Sequence, residues 1–286
     1  MRSSLFCLAI VWTIAAAASA QTLTFISVPG SSYTEAYSIN NNNQVVGFFQ
    51  PQSSFAFRGF LYNIALDQYS AISPPHSTAS TARGINDAGV IVGFYGNGSG
   101  PNNSRGFQRN ASGKYSMINY PNQPNQGANA INNLNEIIGG YTLAPGIGNG
   151  YSLVQGEFTS IAYPGAMSTS VYGINDSGVI VGTYQDTSFN VFGFKLENGV
   201  YTQITFPDAT LVEVYGINNL GDMVGSYDTS TSTHGFLLKN GVREDVDCQG
   251  LGQTQYTLLT AVNDSDMFVG VCNITLQGNL AFYGTP

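Results

Sequence analysis

Charged side chains are scarce in this chain of 286 residues, of which they make up 9%. An ordinary soluble domain has about 25%. Only three lysines occur, and the formal net charge is −8. Proteins that bind nucleic acid need clustered Lys and Arg side chains to neutralise phosphates, so the charge balance excludes a nucleic-acid partner. Because 43% of the residues are hydrophobic, the low charge does not indicate disorder.

Residue types that carry chemistry are also few. The chain has two histidines, His76 and His234, and neither stands at a spacing from a nucleophile that is typical of a catalytic site. Metal-binding H-E-x-x-H, C-x-x-C, phosphate-loop and dinucleotide motifs are absent from the sequence. We therefore predict no catalytic residues, no metal ligands and no cofactor. A divalent cation at turn carboxylates is the alternative.

Long hydrophobic runs are limited to one, from Leu5 to Ala18, and a membrane span needs about 20 residues. Arg2 precedes this run and Ala18-Ser19-Ala20 follows it, which is the pattern of a secretory signal peptide. We predict that residues 1–20 are removed and that 21–286 form one domain, secreted to the extracellular space, the cell envelope or the periplasm. An N-terminal core helix is the alternative. Cleavage also removes Trp12, the only tryptophan, which weakens a lectin interpretation.

Six repeated segments are the strongest feature of the sequence. Each has a form like GINDSGVIVGTY, and we call its first asparagine the anchor and the repeat a unit. Successive anchors are 46, 46, 43, 43 and 45 residues apart. The six anchors are Asn40, Asn86, Asn132, Asn175, Asn218 and Asn263.

Each unit contains four short strand-like pieces and no sustained helical period. Four strands in about 45 residues predict an all-β, six-bladed β-propeller with four strands per blade. The segment Leu23–Val28 matches the fourth strand Tyr201–Phe206, whereas the sixth unit stops after its third strand. We therefore expect the N-terminal strand to complete the last blade and close the ring. An open solenoid is the alternative.

The turn after each anchor has a residue that tolerates a left-handed backbone three positions later. The anchor side chain can accept hydrogen bonds in its own turn, so we interpret the motif as an Asx-turn, with calcium binding as the functional alternative. A glycine follows seven residues after every anchor, and we expect it to make room for a ring between blades. Two-residue hairpin turns are predicted at Asn198-Gly199 and Asn240-Gly241.

After signal cleavage only Cys248 and Cys272 remain. Each stands where other units have an aromatic residue, and an exported chain permits disulfides. We predict a Cys248–Cys272 bond, which would contribute about 3 kcal/mol. Two inert buried thiols are the alternative.

The motif G-I-N-D-x-G-x-I-V-G, followed by a Gly-Phe-Leu strand, resembles the HAF family of extracellular repeat proteins. That family is named for a His-Ala-Phe sequence, and His234-Gly235-Phe236 is similar to it. The resemblance covers the mature chain and implies secretion and a repeat architecture. It implies no catalytic residue.

Two aligned positions of the innermost strands vary from unit to unit, and they provide the candidate ligand-binding residues Glu35, Arg83, Tyr172 and Glu213. They stand five or three positions before an anchor, at the end of the ring where the longer loops are expected. Packing between blades, with Arg83 paired to an acid, is the alternative interpretation.

We predict a secreted, non-catalytic binding or surface-interaction protein, expected to be a monomer, whose partner is an extracellular polysaccharide or protein. The alternative from a different class is a propeller hydrolase or lyase that acts on a carbohydrate or lactone through the carboxylates at the channel mouth. A purely structural envelope protein is a third option.

Overall fold

The computed structural model describes residues 21–96, 104–123, 125–248, 254–274 and 278–286, and within them the regular structure is entirely β-strand. The predicted signal peptide lies outside these ranges. No helix in the described ranges could span a membrane.

The strands follow one another in the order expected from the repeats. Unit 1 contains β2 (Ser31–Ile39), β3 (Gln44–Pro51), β4 (Arg58–Asn63) and β5 (Gln68–Ile72). Unit 2 contains β6 (Ala79–Ile85), β7 (Ile91–Gly96), β8 (Ser104–Arg109) and β9 (Tyr115–Ile118). Unit 3 contains β10 (Gln126–Ile131), β11 (Ile137–Ala144), β12 (Ile147–Val154) and β13 (Glu157–Ile161).

The remaining strands complete the chain. Unit 4 contains β14 (Ser168–Ile174), β15 (Ile180–Gln185), β16 (Val191–Glu197) and β17 (Val200–Ile204). Unit 5 contains β18 (Leu211–Ile217), β19 (Met223–Asp228), β20 (Thr233–Lys239) and β21 (Val242–Val246). Unit 6 contains β22 (Thr254–Val262), β23 (Phe268–Ile274) and β24 (Gly278–Thr285), and β1 (Thr22–Ile26) lies at the N-terminal end of the chain.

The strands form an all-β propeller, in which the first strand of each unit is innermost. Units 1 to 4 are separate four-stranded antiparallel sheets. The last two units, with β1, form one eight-stranded sheet, because a single parallel pair, Thr233 with Tyr256, joins β20 to β22. This sheet differs from the separate four-stranded blades that the repeats predict.

The N-terminal strand pairs with β24 from Thr22↔Thr285 to Ile26↔Ala281, as predicted. Pairing β1 with β24 covers the edge that the sixth unit would otherwise expose. Ile26 is buried at 2% exposure, so the closing strand also contributes to the core.

The apolar cores lie between neighbouring units, and each contains one ring from a third strand, as Phe236 of unit 5 shares a core with Val179 and Val181 of unit 4. These six rings are fully buried and are among the largest side chains of the interior. They are Phe60, Phe107, Tyr151, Phe194, Phe236 and Phe282.

Neighbouring units are joined by pairs of side chains at one repeated position. Tyr163 stacks on Tyr184 with ring centroids 3.6 Å apart, and Tyr120 stacks on Tyr141 at 4.1 Å. The same position between units 5 and 6 holds the predicted disulfide, Cys248–Cys272, with Cα atoms 6.1 Å apart. A covalent bond therefore replaces a stacked pair at this junction.

The glycine seven residues after each anchor makes room for a ring, as expected, and also for a backbone carbonyl. A Cβ atom at Gly225 would collide with the carbonyl oxygen of Glu213 in the neighbouring inner strand and would lie 2.9 Å from the Phe236 ring. The Phe236 ring belongs to the core shared with Val179 and Val181 of unit 4, so the glycine makes room for a ring between units as well as for an inner-strand carbonyl. A different glycine, Gly216, allows close approach between units, since its Cβ would lie 2.8 Å from the Cα of Ala261.

The predicted turns are confirmed by their backbone angles. The residue three positions after each anchor has a positive φ, for example 55° at Asn43 and 74° at Gly178. The hairpin turns Asn198-Gly199 and Asn240-Gly241 have positive φ at both residues, as a type I′ turn requires.

Candidate functional site

Every inner strand carries a β-bulge at the same position. The register of pairing with the second strand skips one residue, for example between Ala82 and Gly84 in β6. A bulge inserts an unpaired residue and re-aims its side chain. The six skipped residues are Tyr37, Arg83, Asn129, Tyr172, Tyr215 and Thr260.

These bulges turn side chains towards the central channel. A cavity of about 90 Å³ lies there, and five of the six bulge residues line it. The other end of this cavity is formed by a ring of β-branched residues one position before the anchors. Those residues are Ile39, Ile85, Ile131, Ile174, Ile217 and Val262.

Arg83 is the one cation among the described residues that line this cavity. Its guanidinium carbon lies 3.8 Å from the centroid of the Tyr37 ring and 5.3 Å from that of Phe94. Its Nε atom is buried and has no hydrogen-bond partner in the described part of the chain. The acid that we considered as a partner for Arg83 is therefore not found within the described ranges.

Glu35 lies beside the cavity in a separate cluster of hydrogen bonds. Its carboxylate accepts hydrogen bonds from the hydroxyls of Tyr33 and Tyr37, the latter at 2.6 Å, and from the amide of Asn279 at 2.6 Å. Burial raises the pKa of Tyr37 above its ordinary value, with the Glu35 carboxylate adding to the rise and Arg83 opposing it. The phenol of Tyr37 therefore stays neutral and donates to Glu35.

Glu213 occupies the matching place in unit 5. It accepts a hydrogen bond of 2.7 Å from the Tyr215 hydroxyl, and the Tyr215 ring lies 5.3 Å from that of Tyr172. Burial raises the pKa of the Glu213 carboxyl, the hydrogen bond from Tyr215 lowers it, and the Asp228 carboxylate raises it. Burial also raises the pKa of Tyr215.

Of the four predicted site residues, Arg83 and Tyr172 line one cavity. Glu35 and Glu213 are not among its lining residues, and each is instead bonded to a tyrosine that is. The structure therefore does not bring the two carboxylates together as an acid–base pair in this cavity. Tyr37 and Tyr215 stand three residues before an anchor, as Arg83 and Tyr172 do, but we did not include them in the predicted site.

The opposite end of the channel is closed by the anchor asparagines. Each Oδ1 accepts hydrogen bonds from its own turn, as at Asn175, where Ser177 and Val179 donate at 3.1 and 3.0 Å. This confirms the Asx-turn. Each amide also donates to the anchor carbonyl of the next unit, and the bond from Asn263 to Asn40 closes the circle.

A second circle follows one residue after the anchors, where asparagine and aspartate alternate. The Nδ2 atom of Asn133 donates to Asp87 at 2.9 Å and to Asp176 at 3.0 Å. Each backbone N–H also donates to the next side chain, as from Asp264 to Asn41 at 2.8 Å. The six members are Asn41, Asp87, Asn133, Asp176, Asn219 and Asp264.

The oxygens that we considered for calcium thus already accept N–H hydrogens from the chain itself. Within the described ranges, no group of three or more His, Cys, Asp or Glu side chains is arranged to hold a metal ion. The sequence showed this alternation, but we did not derive the side-chain circle from it.

Two further cavities lie between units 2, 3 and 4. One of about 270 Å³ is lined by uncharged residues that include Asn149, Thr169 and Ser170, and one of about 180 Å³ lies next to it. They share Asn129 and Thr142 as walls.

His234 lies in β20. Its two ring nitrogens contact Ser232 Oγ at 2.7 Å and Asp247 Oδ2 at 2.8 Å. The sequence places Ser232 two residues before the histidine, but Asp247 comes from beyond the neighbouring strand and could not be paired with it from spacing alone.

Comparison with known proteins shows the fold but no family. No family model matches the chain, and no curated protein matches it.

Solved structures that are similar to it share little sequence. TolB from Acinetobacter baumannii has a TM-score of 0.59 at 10% identity over 84% of this chain, which spans 63% of TolB. The β-propeller domain of the Trilobed protease from Pyrococcus furiosus has a TM-score of 0.55 at 8% identity, covering 88% of this chain and 94% of that domain. XC5397, a gluconolactonase from Xanthomonas campestris, has a TM-score of 0.55 at 10% identity, covering 93% of this chain and 90% of that protein. At these identities the likeness establishes a β-propeller and nothing about activity.

Proposed function

We propose that this protein is a secreted binding module that holds a carboxylate group of an extracellular ligand at the cavity lined by Arg83. The observation that carries the proposal is the buried Nε atom of Arg83, which has no partner within the described ranges. A buried donor without a partner costs about 1–3 kcal/mol. A ligand that accepts a hydrogen bond from it removes this cost, and its negative charge would face the guanidinium.

The cavity suits a small anionic group. Its volume of about 90 Å³ is several times the roughly 10–15 Å³ that a cavity needs to hold one water molecule. Tyr37 holds the guanidinium from one face, which orients its remaining donors. Tyr172 adds a phenol group to the lining, whereas the Tyr215 hydroxyl already donates to Glu213. Arg pairs with carboxylates through parallel N–H donors, so a carboxylate is the group that fits best.

Secretion agrees with the disulfide between Cys248 and Cys272, because such bonds persist in oxidising compartments. The resemblance to the HAF family would also place the protein outside the cell. The N-terminal 20 residues that would direct export are the part to test, by sequencing the N-terminus of the exported protein.

We also infer that the eight-stranded sheet is two blades, so that the ring has six. One residue pair joins its halves, and each half has the strand order of the separate sheets. The inner strands contact one another in sequence around the channel, with β22 next to β2. A crystal structure in which β20 and β22 paired over several residues would contradict this inference.

The ligand proposal is tested with a matched pair of probes. Oligogalacturonate carries carboxylates, and its fully methyl-esterified form is the same saccharide without the charge. Titration calorimetry should show binding of the acid alone. Arg83→Met should weaken it about tenfold or more, since a hydrogen bond to a charged group contributes about 1.5–3 kcal/mol.

Arg58→Met is the control, because Arg58 is exposed on β4 and lies outside the cavity. Equal binding of the acid and its ester, or equal binding by the parent and Arg83→Met, would refute the proposal.

A further inference from the structure

A hydrogen-bonded chain of Ser232, His234 and Asp247 lies away from the channel residues just described. The Ser232 Oγ atom is 2.7 Å from His234 Nε2, and His234 Nδ1 is 2.8 Å from Asp247 Oδ2. In the tautomer with the proton on Nδ1, the histidine donates to the carboxylate and accepts from the serine hydroxyl. This is the order of contacts by which a serine nucleophile is activated.

We propose that these three residues form a hydrolytic site, in which Ser232 attacks the carbonyl carbon of a short-chain carboxylic ester. The proposal goes beyond carboxylate binding in the channel and does not depend on it.

The serine is held in place by its own turn. Thr229 donates its backbone N–H to the Ser232 carbonyl at 2.8 Å, and the Ser232 N–H donates to the Thr229 hydroxyl at 3.1 Å. The turn leads directly into β20, so the hydroxyl and the imidazole lie two residues apart on the same side of the chain. A fixed turn keeps the nucleophile in reach of its base at little entropic cost.

The base and the carboxylate are held from two other elements. His234 pairs with Tyr227 in β19, and its ring stacks on that of Tyr227 at 5.2 Å. Asp247 follows β21 and precedes Cys248, which is fixed by its disulfide. The imidazole therefore has one favoured plane, and the carboxylate on its Nδ1 side sets the tautomer that activates Ser232.

The groups are accessible to a substrate. Ser232 is exposed, and the His234 side chain keeps 27% of its surface exposed. The neighbours of Ser232 in the turn, Thr229 and Thr231, are hydroxyl side chains that offer no apolar wall to a long acyl chain. Acetyl and similar short esters on an extracellular molecule are thus the class of substrate that fits.

The reaction balances without any further reagent. Ser232 Oγ bonds to the ester carbonyl carbon as its proton passes to His234 Nε2. The tetrahedral intermediate collapses, the C–O bond to the alcohol breaks, and the alcohol leaves with the proton from His234. Water then attacks the acyl-serine and gives a proton to His234, which returns it to Ser232 Oγ as the acyl C–O bond breaks, so that the carboxylic acid is released and Ser232 is free again. Asp247 stabilises the imidazolium in each half-reaction.

The test uses the mature, oxidised protein with 4-nitrophenyl acetate. The parent should release 4-nitrophenol faster than buffer does, and Ser232→Ala should lower that excess by about 100-fold. Asp247→Asn should lower it about tenfold or more, because it favours the wrong tautomer. Mass mapping of a rapidly quenched sample should find the acetyl group on Ser232.

The matched controls are His76→Asn and Ser188→Ala. His76 is the only other histidine, and imidazoles in solution attack this ester without any site. Ser188 lies between β15 and β16, the same connection in unit 4. Both controls should keep the parent's rate, and circular dichroism should show that every variant is folded. An unchanged rate in folded Ser232→Ala, or acetyl groups only on other residues, would overturn the proposal.

Discussion

The two ends of the central channel are built from the same six inner strands but treat their polar groups in opposite ways. At the turn end, the anchor amides and the alternating Asn and Asp side chains donate and accept around closed circles. At the loop end, the bulge residues are Tyr, Arg, Asn and Thr in no repeating order. There the Arg83 Nε atom is buried without a partner in the described part of the chain.

This contrast separates structural polar residues from binding residues. Buried polar groups are normally hydrogen-bonded. The polar residues of a closed network are therefore explained by the bonds they make within the fold, whereas an unpaired buried group requires another explanation. The turn end has a role in holding the units together. Within the described part of the chain, the loop end has the buried Nε donor of Arg83 left to offer to a ligand, because the bulges turn different side chains into the same space.

The largest effect is expected from breaking the anchor circle. In Asn86→Ala, the carbonyl of Asn132 loses a donor at 3.2 Å and the N–H of Val90 loses an acceptor at 3.0 Å. Both bonds are buried or partly buried, and Asn86 itself is 3% exposed, so the free energy of unfolding should fall by about 2–4 kcal/mol. Urea denaturation measures it.

Asn110→Ala is the matched control for that change. Asn110 makes a similar turn, accepting from the Lys114 N–H at 2.9 Å, but it is exposed and lies in the hairpin between β8 and β9. Its loss should cost about 0.5–1 kcal/mol. Equal costs for the two variants would show that the bond between units contributes nothing.

A smaller effect is expected from the second circle. Asn133→Asp places a third carboxylate between Asp87 and Asp176 and removes both amide donors. At neutral pH and low salt, we expect a loss of about 1–2 kcal/mol from like-charge repulsion. The loss should shrink as the carboxylates are protonated at acid pH.

Leu134→Asp provides the comparison for this variant, since it adds the same charge at a neighbouring residue that is 72% exposed. Thermal unfolding at several pH values measures both. If Leu134→Asp cost as much, the alternation in the circle would have no energetic role.

At the loop end, Arg83→Met should change stability by less than about 1 kcal/mol. The variant loses the contact of the guanidinium with Tyr37, an interaction that contributes about 0.5–2 kcal/mol, but removes the unpaired buried donor. Urea denaturation alongside Asn86→Ala compares the two ends directly. A loss as large as that of Asn86→Ala would mean that Arg83 is structural.

The repeats allowed most of the fold to be derived before the structure. A fixed period and a displaced fourth strand imply a propeller closed by β1, because the strand missing after Phe282 has its match at the N-terminus. The disulfide followed from two cysteines at aligned aromatic positions. These inferences succeeded because each depends on comparing units with one another.

The bulges could not be derived in the same way. A bulge is a shift in the pairing register between two strands, and the sequence of one strand does not show that register directly. The glycine of the second strand was the indirect sign: it accommodates the inner-strand carbonyl at the bulge, as Gly225 does for Glu213. We assigned that space to a ring alone and did not consider the carbonyl.

The anchor asparagines show a second kind of omission. The Asx-turn explained why each anchor accepts hydrogen bonds, but it left the amide donors without partners. Asking where the Nδ2 hydrogens of a buried asparagine go would have pointed to the next unit. The fusion of the last two units by the Thr233–Tyr256 pair has no comparable sign in the sequence.

The smallest effect sharpens the contrast through pH. Burial raises the pKa of the Glu213 carboxyl in the folded protein above its ordinary value of 4.5. As pH rises from that value, the unfolded chain ionises first, so the parent loses stability until the pH passes the raised pKa of Glu213. Glu213→Gln keeps an acceptor for Tyr215 and does not ionise. The free energy of unfolding of this variant should therefore increase relative to that of the parent as pH rises from 4 to 7, as measured by urea denaturation across that range.

Asp208→Asn is the control of opposite sign, since Arg243 holds the pKa of Asp208 at about 2. The pair stabilises the fold above the ordinary carboxyl pKa, and this contribution is lost as pH falls towards that of Asp208. Asp208→Asn should thus be less stable than the parent at neutral pH and approach it at acid pH. If Glu213→Gln followed the same course, Glu213 would be stabilised as a carboxylate, and the loop end would be as fully paired as the turn end.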